Sequence, residues 1–456
     1  MSNTNPSKKL NLLDSSMLIM GSMIGSGIFL VTSAIARDVQ TPGMVLLVWL
    51  ITAVMTVFGA LCYGELAAAF PNAGGQYVFL SKIYHKIFGF LYGWTVFTII
   101  QTGTIAAVGI AFARFTGVFV PVISSKNMVL GLVSTEQLLG IAAIVLLTLS
   151  NFRAVKSSAL VQNIFTIGKV GSLVLIVVFG LWAGFTGAGS VENFEPMWPD
   201  TFTLISWGVF GAAMVGSLFS ADAWNNITYI AGEVENPKRN LPLSMLLGTG
   251  GVMLIYFLVN VVYLYILPIA KIQTAPEDRV GTLLMETMAG NYGLYLMAIL
   301  IMISTFGCLN GIILTGARVY YAMAKDGLFF KPASKLNKHD VPANSLMMQG
   351  AWAIVLILSG SYNSLLDYVI FAVLLFYLLT VGGVIVLRRT QPDLPRPYKV
   401  FAYPFTPLIY LVLGLFVTIS LVINKFENTY PGLILVFLGV PFYFLFRYLY
   451  RENKPS

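Results

Sequence analysis

The sequence predicts an all-α integral membrane protein of twelve transmembrane helices, and three observations carry that expectation. The 456 residues are 57% hydrophobic and only 10% charged, whereas a soluble domain carries roughly 25% charged residues. The mean hydropathy is +0.82, so the surplus of apolar side chains must face lipid rather than water. Twelve apolar runs follow one another near 12–36, 43–69, 87–113, 136–150, 157–185, 202–231, 241–267, 289–317, 342–360, 363–387, 405–423 and 431–450. A helix needs about 20 apolar residues to cross the hydrocarbon core, and only the fourth run is clearly short. None alternates in polarity over about ten residues, as barrel strands do.

The loops set the orientation. With the N-terminus inside, twenty Lys and Arg fall in the inner segments and six in the outer ones, and Lys169 alone lies within a span. That bias places both termini in the cytoplasm of a cell inner (plasma) membrane. The loop 186–201 carries Glu192, Glu195 and Asp200 without a basic residue and reads as external. The net charge of +8 does not mark a nucleic-acid binder, because the basic residues sit in short gaps between apolar runs and form no single basic face. The segment Met1 to Leu10 is polar and short, and the run after it is long enough to span, so a signal peptide is not expected. The loops are too short for a further domain, so residues 1–456 read as one unit with its chemistry in or near the membrane. Cys62 and Cys308 both fall inside apolar runs and read as core residues. His85 and His339 fall in cytoplasmic loops, and without a His or Cys cluster no metal or cofactor site is expected.

Two runs contain helix-breaking pairs of small residues. Gly25-Ser26-Gly27 sits in the middle of the first, where each glycine costs about 1 kcal/mol relative to alanine. Gly21 and Gly25 are also spaced for close helix packing, so the glycines alone leave both readings open. The stretch Gly21 to Phe29, however, lies without gaps on Gly216 to Trp224 in the sixth run, with Ser220-Ala221-Asp222 opposite Gly25-Ser26-Gly27. Paired interruptions in corresponding spans point to an inverted-repeat transporter with its site at the midplane. A broken helix offers free N–H groups and a positive end after the break, and free carbonyls and a negative end before it. An α-amino acid, with carboxylate and ammonium on adjacent atoms, satisfies both.

Gly25-Ser26-Gly27-Ile28-Phe29 resembles the GSGIF motif of the amino acid–polyamine–organocation superfamily. Cys62 to Leu66 with Pro71 to Tyr77 is similar to its second-helix and loop signature. Trp224-Asn225, Gly232 to Pro237 and Arg239 to Pro242 resemble the sixth-helix segment of its L-amino acid transporter branch, and Asn310-Gly311 and Arg318 to Tyr321 its eighth helix. The resemblance spans nearly the whole chain and implies a LeuT-like fold: repeat one at about 12–185, repeat two at about 202–387, and accessory helices at 405–450. It also implies alternating access and sodium-independent amino-acid transport. Carried over by motif, the backbone of Ser26 and Gly27 would take the carboxylate, and the carbonyls of Met23, Phe219 and Ser220, with that of Asp222, the ammonium. Asn225 joins this set, and the Phe219 ring would be the outer gate. Eukaryotic members carry a cysteine in the loop between helices 3 and 4 that links a glycoprotein partner. The loop 114–135 has none, so a chain acting alone, without a disulfide-linked heavy chain, is expected, and a monomer.

Two deep charges remain. Lys169 sits between Gly168 and Val170, well inside the fifth run, and an intramembrane charge is functional by default. In relatives a lysine here occupies the region where LeuT-like symporters bind sodium, bridging helix 1 to helix 8; the alternatives are a titrating lysine coupled to protons or a structural one. Asp222 either faces a cationic substrate side chain, pairs with another residue, or is protonated, because the helical period is lost at a break. Glu65, near the cytoplasmic end of the second run, is expected to hydrogen-bond from helix to loop. The function expected is an exchanger of small or neutral L-amino acids, with proton symport or carriage of cationic amino acids through Asp222 as alternatives. An enzyme is not expected, since no nucleophile–base pair converges in the membrane. A channel would show rings of charge or a carbonyl filter.

Overall fold

The computed structural model describes residues 10–71, 74–152 and 159–450, and the side chains of all of these except 159–165. Asn72 and Ala73 of the loop signature, and six of the twenty basic residues assigned to inner segments (Lys8, Lys9, Arg153, Lys156, Arg451 and Lys454), lie outside the described residues. The first run is two helices, α1 (Leu12–Met23) and α2 (Gly27–Val39), bent by 47° across the break. There follow α3 (Pro42–Ala69), α4 (Gly75–Ile83) and a long span in which α5 (Lys86–Thr95) and α6 (Gln101–Thr116) are joined by the π-turn Val96–Ile100. A two-stranded antiparallel hairpin, β1 (Met128–Val129) with β2 (Val133–Ser134), leads into α7 (Thr135–Ser150). Next come α8 (Ala159–Ala183), α9 (Leu204–Ser220), the 3-10 segment Trp224–Glu233, α10 (Pro237–Ile266) and α11 (Ile269–Gln273). The chain closes with α12 (Val280–Lys325), α13 (Ala343–Ser359), α14 (Tyr362–Thr390), α15 (Phe405–Asn424) and α16 (Phe426–Leu449).

Over its described residues, every expected run coincides with one helix or with two helical segments on either side of a break. Among the described residues nine helical spans are long and apolar enough to cross a membrane, ten with the bent first pair, while α7 and α13 are apolar but shorter. Two starts differ from expectation. α12 begins at Val280, ahead of residue 289, and turns at Gly290 with φ 61° and ψ −152°, a conformation essentially reserved for glycine. Its first turns carry Thr282, Glu286 and Thr287, so no apolar run marks them. α16 begins at Phe426 and runs through Pro431 and Pro441.

Local chemistry explains the helix starts. Pro42 and Pro237 stand at the first position of α3 and α10, where a missing N–H is harmless. Asn11–Asp14, Ser134–Gln137, Thr203–Ser206 and Ser361–Ser364 form reciprocal caps at α1, α7, α9 and α14. Burial then sorts the helices. The apolar window of Lys86–Thr116 is 78% buried and that of α16 only 22%, so α5–α6 is central and α16 faces lipid. Exposed Trp182, Leu254, Val412 and Phe437 mark the lipid side of α8, α10, α15 and α16. Trp49, Tyr63, Tyr256, Tyr263 and Tyr320 are fully buried at the centre.

Candidate functional site

The first break is made by three residues. Ile24 still donates to the carbonyl of Met20 at 2.9 Å, but its ψ of 96° takes the chain out of the helix. Gly27 then opens α2 with Ser26 before it. Glycine here is a packing requirement: a Cβ on Gly27 would lie 2.1 Å from Ser220 Oγ and 3.0 Å from Ser220 Cα. The two breaks therefore touch, backbone against backbone. A Cβ on Gly25 would stand 3.9 Å from Cys308 Sγ of α12.

The carbonyls at the end of α1 are partly engaged. Tyr256 OH donates to Met23 O at 3.1 Å, and beyond the break Tyr263 OH donates to Ile28 O, in the first turn of α2, at 3.3 Å. Lys169 Nζ, from α8, donates to Ile24 O at 3.1 Å and Gly21 O at 3.4 Å. Its ammonium thus sits on the negative end of a half-helix.

The second break opens after Ser220. Ala221 has φ −90° and ψ 0°, and Ala223 is left-handed at φ 70°. Phe219 O accepts from Asp222 N–H at 3.3 Å, and Ser220 Oγ donates to Gly216 O at 2.9 Å. Asp222 Oδ1 accepts from Tyr377 OH of α14 at 2.6 Å. A cavity of about 20 Å³ adjoins it, lined among others by Thr56, Trp224, Val373 and Tyr410, with no residue from α1, α2 or α12. Asn225 Nδ2 donates to Gln76 Oε1 at 3.3 Å, and Gln76 Nε2 to Thr380 Oγ1 at 3.0 Å.

Of the expected residues, then, the structure brings Ser26, Gly27, Phe219 and Ser220 together and turns Asp222 and Asn225 toward α14 and α4. Two hydroxyls join the first group. Ser26 is 1% exposed, its hydroxyl lies against the buried Tyr362 OH, and neither oxygen bonds any further group among the described residues. The Phe219 ring meets Tyr362 edge-on at 6.5 Å, and the Arg114 guanidinium lies 5.1 Å from the other ring's centroid.

Sequence reasoning missed the polar closures on either side. Arg114, expected in an outer loop, is 7% exposed and bonds Glu136 at 2.8 Å and Asp278 at 3.4 Å. Arg37 reaches the same Asp278 at 2.7 Å. Burial raises the neighbouring Glu277 carboxyl, but Ser124, Ser125, Arg114 and Arg279 outweigh it and hold the group below the usual carboxylate range. In a second cluster Glu65 accepts from Val400 N–H at 2.7 Å, the expected helix-to-loop bond, and also takes a bidentate pair from Arg388 at 2.9 and 2.6 Å. The Tyr92 and Tyr229 hydroxyls are hydrogen-bonded. Leu10 pairs with the segment after the 3-10 turn, donating to Glu233 O and accepting from Glu235 N–H, both at 2.8 Å. Only the charge of these residues was readable, because their partners are remote in sequence. Among the described residues no group of three or more His, Cys, Asp or Glu could hold a metal.

Comparison with known proteins gives a consistent picture. The family described as Amino acid permease matches residues 10–444. The b(0,+)-type amino acid transporter 1 of Mus musculus is 30% identical over 98% of this chain and 89% of its own length. The Large neutral amino acids transporter small subunit 2 of the same species is 30% identical over 98% and 82%. The Serine/threonine exchanger SteT of Bacillus subtilis (strain 168) is 30% identical over 96% of each chain.

Proposed function

Because the chain belongs to the amino acid permease family, in its L-amino acid transporter branch, we propose that it is a sodium-independent exchanger of small or neutral L-amino acids working by alternating access. It is a membrane transporter of amino acids and not an enzyme. The observation that carries the finer reading is the contact of the two breaks, with the Ser26 and Tyr362 hydroxyls buried side by side at the positive end of α2 and bonded to no further group among the described residues. A substrate carboxylate there meets the N–H groups of Ser26 and Gly27, the helix dipole and two waiting hydroxyls. Its ammonium meets the carbonyls of Met23, Phe219 and Ser220, each with a second lone pair to offer. Phe219 against Tyr362 closes the outer side.

Lys169 supports sodium independence, since its ammonium on Gly21 O and Ile24 O supplies a fixed cation at the break; the link onward to α12 is part of this proposal. The carbonyl of Asp222 adds to the ammonium's partners, but its carboxylate is engaged by Tyr377 beside a cavity of about 20 Å³. That volume holds roughly one water and favours neutral substrates over cationic ones. The serine/threonine exchanger named above is in keeping with a small side chain. The arrangement proposed is twelve spans in a LeuT-like fold, 12–185 and 202–387 as repeats and 405–450 as accessory helices, in a plasma membrane with both termini cytoplasmic. With Cys62 and Cys308 both free and within spans, we assign no disulfide-linked heavy chain and a monomer.

The test is counterflow in proteoliposomes loaded with L-serine or L-alanine, in sodium-free buffer, with and without a pH gradient. Uptake that requires internal amino acid and ignores the gradient is expected. Uptake that needs the gradient and no counter-substrate would replace exchange by proton symport.

A further inference from the structure

A second cavity, of about 180 Å³, opens toward the outer side between the external half-helices α2 and α9 and the start of α14. One water needs roughly 10–15 Å³, so this space admits a ligand of several heavy atoms. Its polar lining comprises Arg37, Asp38, Asn363, Asp367 and Lys425, and its wall includes Gly216. Gly216 O accepts from Ser220 Oγ, and Ser220 packs on Gly27. The cavity thus reaches to within one helical turn of the central breaks without including them.

Its charges are unevenly satisfied. Asp367 is 3% exposed and bonds both Lys425 Nζ at 3.1 Å and Asn428 Nδ2 at 2.8 Å. Asp38 is half-buried and has neither a hydrogen bond nor an ion pair among the described residues, though Lys425, Asp367 and Arg37 all act on it electrostatically. An ammonium carries three donors and a guanidinium five. Lys425 spends one donor on Asp367, and Arg37 places all its bonds to Ser33, Gln273 and Asp278 through Nη1. The cavity therefore offers one free carboxylate together with spare cationic donors. Lys425 and Arg37 each already answer a carboxylate, Asp367 and Asp278, but both keep unused N–H donors facing the same space as Asp38. A small zwitterion answers both signs at once.

We propose that this cavity is an external binding site for a zwitterionic amino acid, separate from the central one, with the ammonium on Asp38 and the carboxylate on Lys425 and Arg37. The inference rests on the amino-acid transport reading above. Bound there, the ligand touches both external half-helices, so it loads the carrier from outside only.

The experiment uses the full chain, with L-serine as probe. Equilibrium binding of labelled L-serine to purified protein counts sites, and exchange in oriented proteoliposomes gives KM at each face. The wild type is expected to bind two serines, and Asp38→Asn and Lys425→Gln one. Both variants should raise the external KM roughly tenfold, about 1.4 kcal/mol, with the internal KM and maximal rate unchanged. One serine per wild-type chain, or an external KM unmoved in both variants, overturns the external site and leaves the transport reading intact. Equal rises at both faces also overturn it, since they mark a general disturbance. A wild type that neither binds nor exchanges serine, alanine or threonine would instead overturn the transport reading, and the external site with it.

Discussion

Behind the first break a lysine ammonium from α8 donates to the carbonyls of Gly21 and Ile24; behind the second a carboxylate, Asp222, accepts from Tyr377 of α14. Both α1 and α9 present the negative end of a half-helix at the break, yet they meet opposite charges. At α1 the charge neutralises the dipole. At α9 it adds to it, and an O–H donor on a neighbouring helix takes the carboxylate away from the site. The difference assigns two mechanical characters. A lysine is a point charge on a flexible four-carbon stem, so the contact with α1 can persist while that half-helix tilts. The Asp222–Tyr377 bond is short and ties the second break to α14.

Removing the lysine should break the comparison most severely. Lys169→Ala strips two charge-assisted bonds, each worth about 1.5–3 kcal/mol, and exchange should fall to background while membrane insertion and monodispersity persist. Normal exchange kinetics in that variant would leave the first break without its proposed anchor. Gly27→Ala comes next, because its Cβ collides with Ser220. Exchange should drop about tenfold or more, and adding Ser220→Gly should recover part of it, since the nearest two atoms disappear while the Cα at 3.0 Å stays. Full activity in the single variant would mean that the breaks do not need to touch. Asp222→Asn should have the smallest effect. It exchanges a charged for a neutral hydrogen bond of about 1 kcal/mol, so L-serine exchange should stay within roughly fivefold of wild type. If arginine becomes a markedly poorer competitor in Asp222→Asn than in wild type, Asp222 reads substrate charge after all and the two breaks are more alike than their present contacts suggest.

Much of this comparison was legible in the sequence. The breaks were, because two small residues in the middle of an apolar run have no other use than close packing or unwinding, and Gly21–Phe29 aligns with Gly216–Trp224. Lys169 was, because a lone charge inside an apolar run is conspicuous. The direction of Asp222 was not, since the left-handed Ala223 resets the helical period and its partner lies 155 positions away. Tyr362 was hidden for another reason: it stands just before the tenth run, 363–387, and only the fold carries this first residue of α14 to Ser26 and Phe219. Arg114 reads as a loop charge because it stands just past the end of its run, 87–113, and only the fold brings Glu136 and Asp278 to it.

The pairing of Leu10 with the strand-like segment around Val234 joins the chain just before the first broken span to the chain just after the second through main-chain groups alone. Any residue other than proline can supply an N–H and a C=O there. The join is therefore indifferent to side-chain identity. The bonds themselves constrain positions 10 and 235 only against proline, whereas Val234 between the bonded residues is 1% exposed and is held by the packing of its side chain in the core.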